Sequence, residues 1–308
     1  MTTDLVASSR ETIRKGSRSF AAAAALFDAE TRADAEMLYA WCRHCDDVID
    51  GQELGHGMAT PDAATANQRL TALYAKTRAA LAGEPTDDPD FAAFQRVALR
   101  RQIPETYATQ LLDGFAMDVM ARRYETLEDT LDYCWHVAGV VGVMMALVMG
   151  VEPNDLPTLR RAQDLGLAFQ LTNIARDVIE DAANGRIYLP AAWLADAGIP
   201  ETELAARQHR GPLFKVTQKL LDAAEPYYAS ALAGLPALAF RSAWAIAAAR
   251  GVYRQIGVIV ERRGPAAWDS RASASTPMKA WLALSGGWTA LASRGKVAPE
   301  RPPLWSKI

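Results

Sequence analysis

The sequence predicts an all-α protein, and three observations carry that expectation. Alanine, leucine and other strong helix formers dominate its 308 residues. Apolar residues recur at helical spacing, while alternating Val/Ile/Thr runs bounded by Asn-Gly or Asp-Gly turns are almost absent. Starts and stops are legible as well. Ser8 with Glu11 and Thr31 with Asp34 have capping-box spacing, which predicts helix starts near both. Residues 51–61, 83–89, 151–157, 184–190 and 263–277 are rich in Gly, Pro, Asp or Ser and read as loops. None is a domain linker and no repeat of 20 to 50 residues appears, so residues 1–308 read as a single helical domain. Its Pro-rich tail, from about residue 295 to 308, is expected to be extended or loosely packed.

Composition removes several function classes. Lys plus Arg number 33 against 36 Asp plus Glu, a net charge of -3, and no basic block is present to follow a phosphate backbone, which argues against nucleic acid. Three cysteines without secretory spacing fit a reducing compartment, so a cytoplasmic protein is expected. The N-terminus lacks the order of a signal peptide. The apolar run 137–149 falls short of the ~20 residues that cross a bilayer and reads as a buried helix, while resting on lipid stays open. No G-x-G-x-x-G follows a strand pattern, so a bound nicotinamide or flavin is not expected.

Two helices carry the chemistry. In YAWCRHCDDVIDG (residues 39–51), Tyr39, Arg43, Asp46 and Asp50 form one stripe, with Asp47 beside it. Aspartates at i and i+4 repel, and here they sit at a helix C-terminus, where the macrodipole disfavours them. Local stability alone does not select them. In residues 166–190, Gly166, Gln170, Asn173, Asp177 and Asp181 form a second stripe on a helix apolar nearly all round, so the stripe should face a cavity. Arg176 and Glu180 beside it have the spacing of an ion pair. A single D-x-x-x-D usually belongs to a solvated face. Two matched pairs with Arg, Gln, Asn and Tyr in place of Lys and Glu suit Mg²⁺, which keeps several waters and completes its shell from substrate phosphates. Two facing pairs imply a diphosphate between them.

These motifs, with KGSRSF (15–20), HVAGVVG (136–142) and GRIYLP (185–190), resemble the squalene/phytoene synthase family, most closely its bacterial carotenoid-pathway members, from about Lys15 to Arg271. The resemblance implies the all-α isoprenoid synthase fold, with the acidic helices facing across a central cavity. It implies Asp46, Asp50, Asp177 and Asp181 as Mg²⁺ ligands, with Mn²⁺ as a substitute, Asn173 as auxiliary ligand and Gln170 alongside. By the same likeness Arg43, Arg176 and Arg271 contact diphosphate, Ser17, Arg18 and Ser19 close over one, and Tyr39, Tyr253 and Phe20 face the reaction centre. Gly16 departs from relatives that carry histidine there. The implied reaction joins two geranylgeranyl diphosphates head to head through prephytoene diphosphate into phytoene, without NAD(P)H. Residues 137–149 would wall the prenyl tails, with Gly139 and Gly142 making room. The C40 product needs a membrane, so peripheral docking on its inner face is expected, with other carotenoid-pathway enzymes as further partners.

Alternatives are a C30 dehydrosqualene or squalene synthase using farnesyl diphosphate, and a non-catalytic prenyl-lipid-binding or assembly protein. Cys42-x-x-Cys45 lies within a helix and has no second pair, which disfavours zinc. The Glu53-x-x-His56 spacing runs through Gly55 in a loop, and His44, His136 and His209 read as surface or core residues. Arg122 and Arg123 read as a solvated helix face.

Overall fold

A computed structural model describes residues 4–16, 18–51 and 63–308, and of Arg18, Ser19 and Ala63 the backbone alone. Ser17 and the Glu53-x-x-His56 spacing lie outside the described residues. Every regular element among those described is helical. In order these are α1 (Leu5–Gly16), α2 (Arg18–Ala24), α3 (Ala29–Asp50), α4 (Ala63–Leu81), α5 (Pro89–Arg101), α6 (Glu105–Val119) and α7 (Leu127–Cys134). There follow α8 (Val140–Val148), α9 (Leu156–Ala183), α10 (Ala191–Asp196), α11 (Arg210–Leu232), α12 (Phe240–Arg263) and α13 (Thr276–Ala292).

Both predicted capping boxes are displaced. Helix α1 starts before Ser8, where the Asp4 carboxylate accepts the N–H groups of Val6 and Ala7 at 3.2 Å. Helix α3 starts at Asp28, whose carboxylate accepts from Glu30 and Thr31, while Asp34 is buried inside the helix and paired with Arg100 and Arg101. In each case an aspartate a few residues upstream accepts the free N–H groups of the first turn. Gly51, at φ 62°, closes α3 in the left-handed conformation that glycine adopts without strain.

Helix α9 runs through the core and packs on α8, α11 and α12. Its apolar circumference is buried, from Leu159 through Leu167 and Leu171 to Val178. Two glycines set how close its neighbours come. A Cβ on Gly166 would lie 2.3 Å from the Ala138 carbonyl oxygen, and one on Gly142 would lie 2.4 Å from that of Ala162. Gly142 lets the backbones of α8 and α9 touch while still lining the interior cavity, and Gly139 abuts the Trp135 ring. Between α7 and α8 the turn Trp135–Gly139 widens to π-helix.

Helices α7 and α8 form one continuous span, Leu127–Val148, of 22 residues and mean hydropathy 1.6. It is longer than the 137–149 run and passes the length and composition test for a membrane span, but 72% of its apolar window is buried inside the protein. The C-terminal tail is extended, as expected, and it is not loose. Arg301 donates to both carboxylate oxygens of the fully buried Asp164, at 2.7 and 2.9 Å, and Leu304, Trp305 and Ile308 pack against the core.

Candidate active site

The two acidic stripes lie on α3 and α9, and a cavity of about 480 Å³ lies between these helices. Its polar end carries Tyr39, Arg43 and Asp46 from α3, Gln170 and Asn173 from α9, and Arg186 from the loop that follows α9. Its apolar wall includes Val137, Val141, Met145 and Met149, so the segment expected as a wall is one. Phe20 and Tyr253 also face this space. Tyr39 stacks on Phe20 with ring centres 5.4 Å apart, and Tyr253 on Phe169 at 4.1 Å. A Cβ on Gly16 would stand 2.6 Å from the Tyr39 hydroxyl, so a larger residue there requires the end of the Tyr39 side chain to shift.

Each stripe aspartate on α3, and Asp177 on α9, is held by an arginine. Arg43 donates to Asp46 and lies 3.6 Å from Asp47. Arg186 donates twice to Asp50, once at 3.2 Å. Arg176 donates twice to Asp177, with Nε 2.8 Å from Oδ1, and Arg271 reaches the same carboxylate at 3.3 Å. The expected Arg176–Glu180 pair does not form. Arg176 turns to its neighbour Asp177, and Glu180 is met by Arg271 at 3.3 Å. The guanidinium fork favours such two-point contact with a carboxylate.

Asp181 differs from these. Among the described residues nothing donates to its carboxylate, and burial, then the charges of Asp177 and Glu180, push its pKa up to about 8. Burial likewise pushes Asp46 up to about 6 against the opposing Arg43. Asn173 donates to Gln170 at 3.3 Å, yet its buried Oδ1 accepts nothing. Leaving such an acceptor unpaired costs about 1–3 kcal/mol. Orphaned oxygens of this kind, beside carboxylates that resist ionisation, are the donor set a divalent oxygen-seeking cation satisfies. Asp46, Asn173 and Asp181 thus have the donor chemistry of the group that the stripes imply, while Asp50 and Asp177 are occupied by arginines.

The residues do not all converge. Asp50 lines an adjoining cavity, and Asp177 and Asp181 lie one and two turns beyond Asn173 on α9. Among the described residues, the one group of three metal-capable side chains with ligand atoms within 4.8 Å is His44–Asp88–Asp90, where α3 meets α5. Lys76 donates to Asp88 there at 2.9 Å. His136 is a core residue whose ring bonds the Asp132 carbonyl oxygen, as read from the sequence, and Cys42, Cys45 and Cys134 are free thiols.

Three site residues were not singled out by the sequence. Asp118, on α6, accepts from Tyr133 at 3.1 Å and Tyr188 at 2.9 Å, and burial pushes it up to about 6. Arg186 and Tyr188 belong to GRIYLP, and all three line both cavities. The available signal was a carboxylate on an otherwise apolar helix face, FAMDV, and a loop arginine directly after an acidic stripe.

The squalene/phytoene synthase family model matches residues 13–278. The chain belongs to the squalene/phytoene synthase family. Among curated members of that family, it is 55% identical to a 15-cis-phytoene synthase of Pantoea ananas over 96% of each chain. It is 51% identical to the 15-cis-phytoene synthase of a Paracoccus strain, over 99% of this chain and 98% of that one. Of solved squalene/phytoene synthase structures, a dehydrosqualene synthase bound to a ligand matches with TM-score 0.81 and 26% identity, over 94% of this chain and 97% of that one. A squalene synthase of Alicyclobacillus acidocaldarius shares the fold at TM-score 0.72, over 84% of this chain and 94% of that one.

Proposed function

We propose that this chain is a phytoene synthase, which condenses two geranylgeranyl diphosphates head to head through prephytoene diphosphate into phytoene. One observation carries the reading: a largely apolar cavity whose polar end is set by Arg43, Asp46, Asn173 and Arg186, between the two acidic helices. The relatives of highest identity quoted above carry that name, which favours the C40 reaction over a C30 one.

The residues present divide the work. Arg43, Arg176, Arg186 and Arg271 would supply fixed positive charge to the departing diphosphate, over which Ser17, Arg18 and Ser19 are expected to close by the family likeness. Asp46, Asp50, Asp177 and Asp181, with Asn173, would hold Mg²⁺, or Mn²⁺ in its place, which when bound neutralises charge developing on the leaving group. The stacked rings of Tyr39 and Phe20, and of Tyr253 and Phe169, present π faces that favour an allylic cation. The apolar wall keeps out water that would capture that cation. The first cation adds to the second substrate's double bond, and loss of one proton from the resulting carbocation closes the cyclopropane. A second ionisation, rearrangement and proton loss give the C40 triene core.

On this reading the enzyme is cytoplasmic and delivers its product into the inner face of a membrane. Incubation with Mg²⁺ and either geranylgeranyl or farnesyl diphosphate tests it by product chain length. Phytoene from the first is expected, and C30 hydrocarbon from the second with none from the first would replace the reading by the shorter-chain alternative.

A further inference from the structure

Ten large apolar side chains are exposed among the described residues, and five of them lie on α13. Trp281, Leu284, Trp288 and Leu291, spaced three, four and three, form one outward stripe that is 64%, 67%, 72% and 54% exposed. The opposite face is fixed. Gly286 sits against the Ala248 backbone of α12, where a Cβ would be 2.7 Å from nitrogen, and Trp244 of α12 donates to the Ala283 carbonyl at 2.6 Å. Helix α13 therefore cannot turn its tryptophans inward.

Charge identifies what this stripe meets. From Thr276 to Pro299 the chain carries Lys279, Arg294 and Lys296 and no carboxylate, in a protein whose net charge is -3. Lys296 is exposed, and neither it nor Lys279 has an ion-pair partner among the described residues. Tryptophan and leucine on one helix face with cations at its ends is the pattern that rests in the headgroup region of an anionic bilayer. A second copy of this chain would bring the same cations together.

The surface also joins the cavity. Arg294, just past α13, donates to the carbonyls of Leu235 and Leu238, both of which line the cavity's apolar end, and the exposed Phe240 follows two residues later. We propose that the Trp281–Leu291 face of α13 is the surface on which this protein docks to an anionic lipid bilayer, next to the apolar end of the cavity. The purpose, release of a hydrocarbon into lipid, rests on the synthase reading, but docking does not.

Sedimentation with phosphatidylglycerol-containing and pure phosphatidylcholine vesicles, without substrate, tests the proposal. Wild-type protein is expected to bind the anionic vesicles more tightly, and less so at high salt. Trp281→Gln with Trp288→Gln should lower binding about tenfold at unchanged helicity, and Lys279→Glu with Lys296→Glu should remove the preference for anionic lipid. Leu284→Gln alone gives a milder loss if the tryptophan pair proves hard to fold. Equal binding by all variants, or a self-association that the tryptophan changes abolish while vesicles stay unbound, would overturn it. Failure to make phytoene leaves this readout untouched, so the two readings fail separately.

Discussion

Arg186, in the loop after α9, donates both terminal nitrogens to Asp50 in the last turn of α3, 136 residues earlier. This pair ties the end of α3 to the loop after α9 where the two cavities adjoin, and Asp50 is buried. Removing one partner of such a pair leaves an uncompensated charge. Arg186→Ala is expected to destabilise the protein by about 2–3 kcal/mol, less than for a fully dry pair because Arg186 is partly exposed. It should also depress kcat about a hundredfold through the lost positive charge. Urea unfolding and steady-state turnover check the two effects, and a variant as stable and active as wild type removes Arg186 from the site.

Metal-free protein should lose stability as pH rises. Asp46 and Asp118 have folded pKa values of about 6 and Asp181 of about 8, all above the 3.8 of an exposed aspartate. Between the unfolded and folded values the folded chain binds more protons than the unfolded one, so the slope of stability with pH is negative. That contribution is complete below about pH 4 and is lost through about 6 for Asp46 and Asp118 and about 8 for Asp181. Thermal unfolding in chelator at pH 5 and pH 8 should show the lower midpoint at pH 8, narrowed by Asp181→Asn and by added Mg²⁺. A higher midpoint at pH 8 would contradict the burial of these carboxylates.

Gly166 is a backbone contact, so it should tolerate nothing larger. Gly166→Ala places a methyl 2.3 Å from the Ala138 carbonyl and 2.7 Å from the Gly139 Cα, where neither neighbour is a flexible side chain. A loss of about 3 kcal/mol or more is expected, measured by denaturant midpoint. Gly211→Ala, where a Cβ meets nothing within 4 Å, is the matched control.

The tail should behave as structure. Arg301→Ala leaves the fully buried Asp164 with the Ser230 hydroxyl and no direct ion pair, Arg161 reaching it only through that hydroxyl, an expected cost of about 3 kcal/mol. Differential scanning calorimetry of Arg301→Ala beside the exposed and unpaired Lys296→Ala should lower the transition in the first and leave it in place in the second.

The all-α class and the paired stripes were legible because helical periodicity places residues on a face without reference to the rest of the chain. Tyr39, Arg43 and Asp46 on one helix, and Gln170 and Asn173 on the other, meet at one cavity as that periodicity implied. What periodicity omits is long-range partnership. Asp118 is one carboxylate on an apolar helix until Tyr133 and Tyr188 are brought to it, and Arg186 is a loop residue until Asp50 is opposite. Helix starts were misplaced for a local reason, since Asp4 and Asp28 lie upstream of the Ser and Thr that match the spacing rule and take the first-turn N–H groups themselves. The tail's extended backbone was legible, but its tight packing was not, because Pro-rich composition says nothing of the buried aspartate that Arg301 finds.

The central claim is that the carboxylates of α3 and α9 hold a divalent cation for ionising two prenyl diphosphates in one cavity. The most direct measurement is turnover of geranylgeranyl diphosphate by purified protein, following hydrocarbon and released diphosphate together, before chelation, after it, and after Mg²⁺ is restored, beside Asp46→Asn and Asp177→Asn. The account predicts phytoene with two diphosphates released per molecule, no product after chelation, recovery with Mg²⁺, and loss of turnover in both variants at unchanged helicity. Phytoene formed after complete chelation, or by either aspartate variant at the wild-type rate, would contradict it.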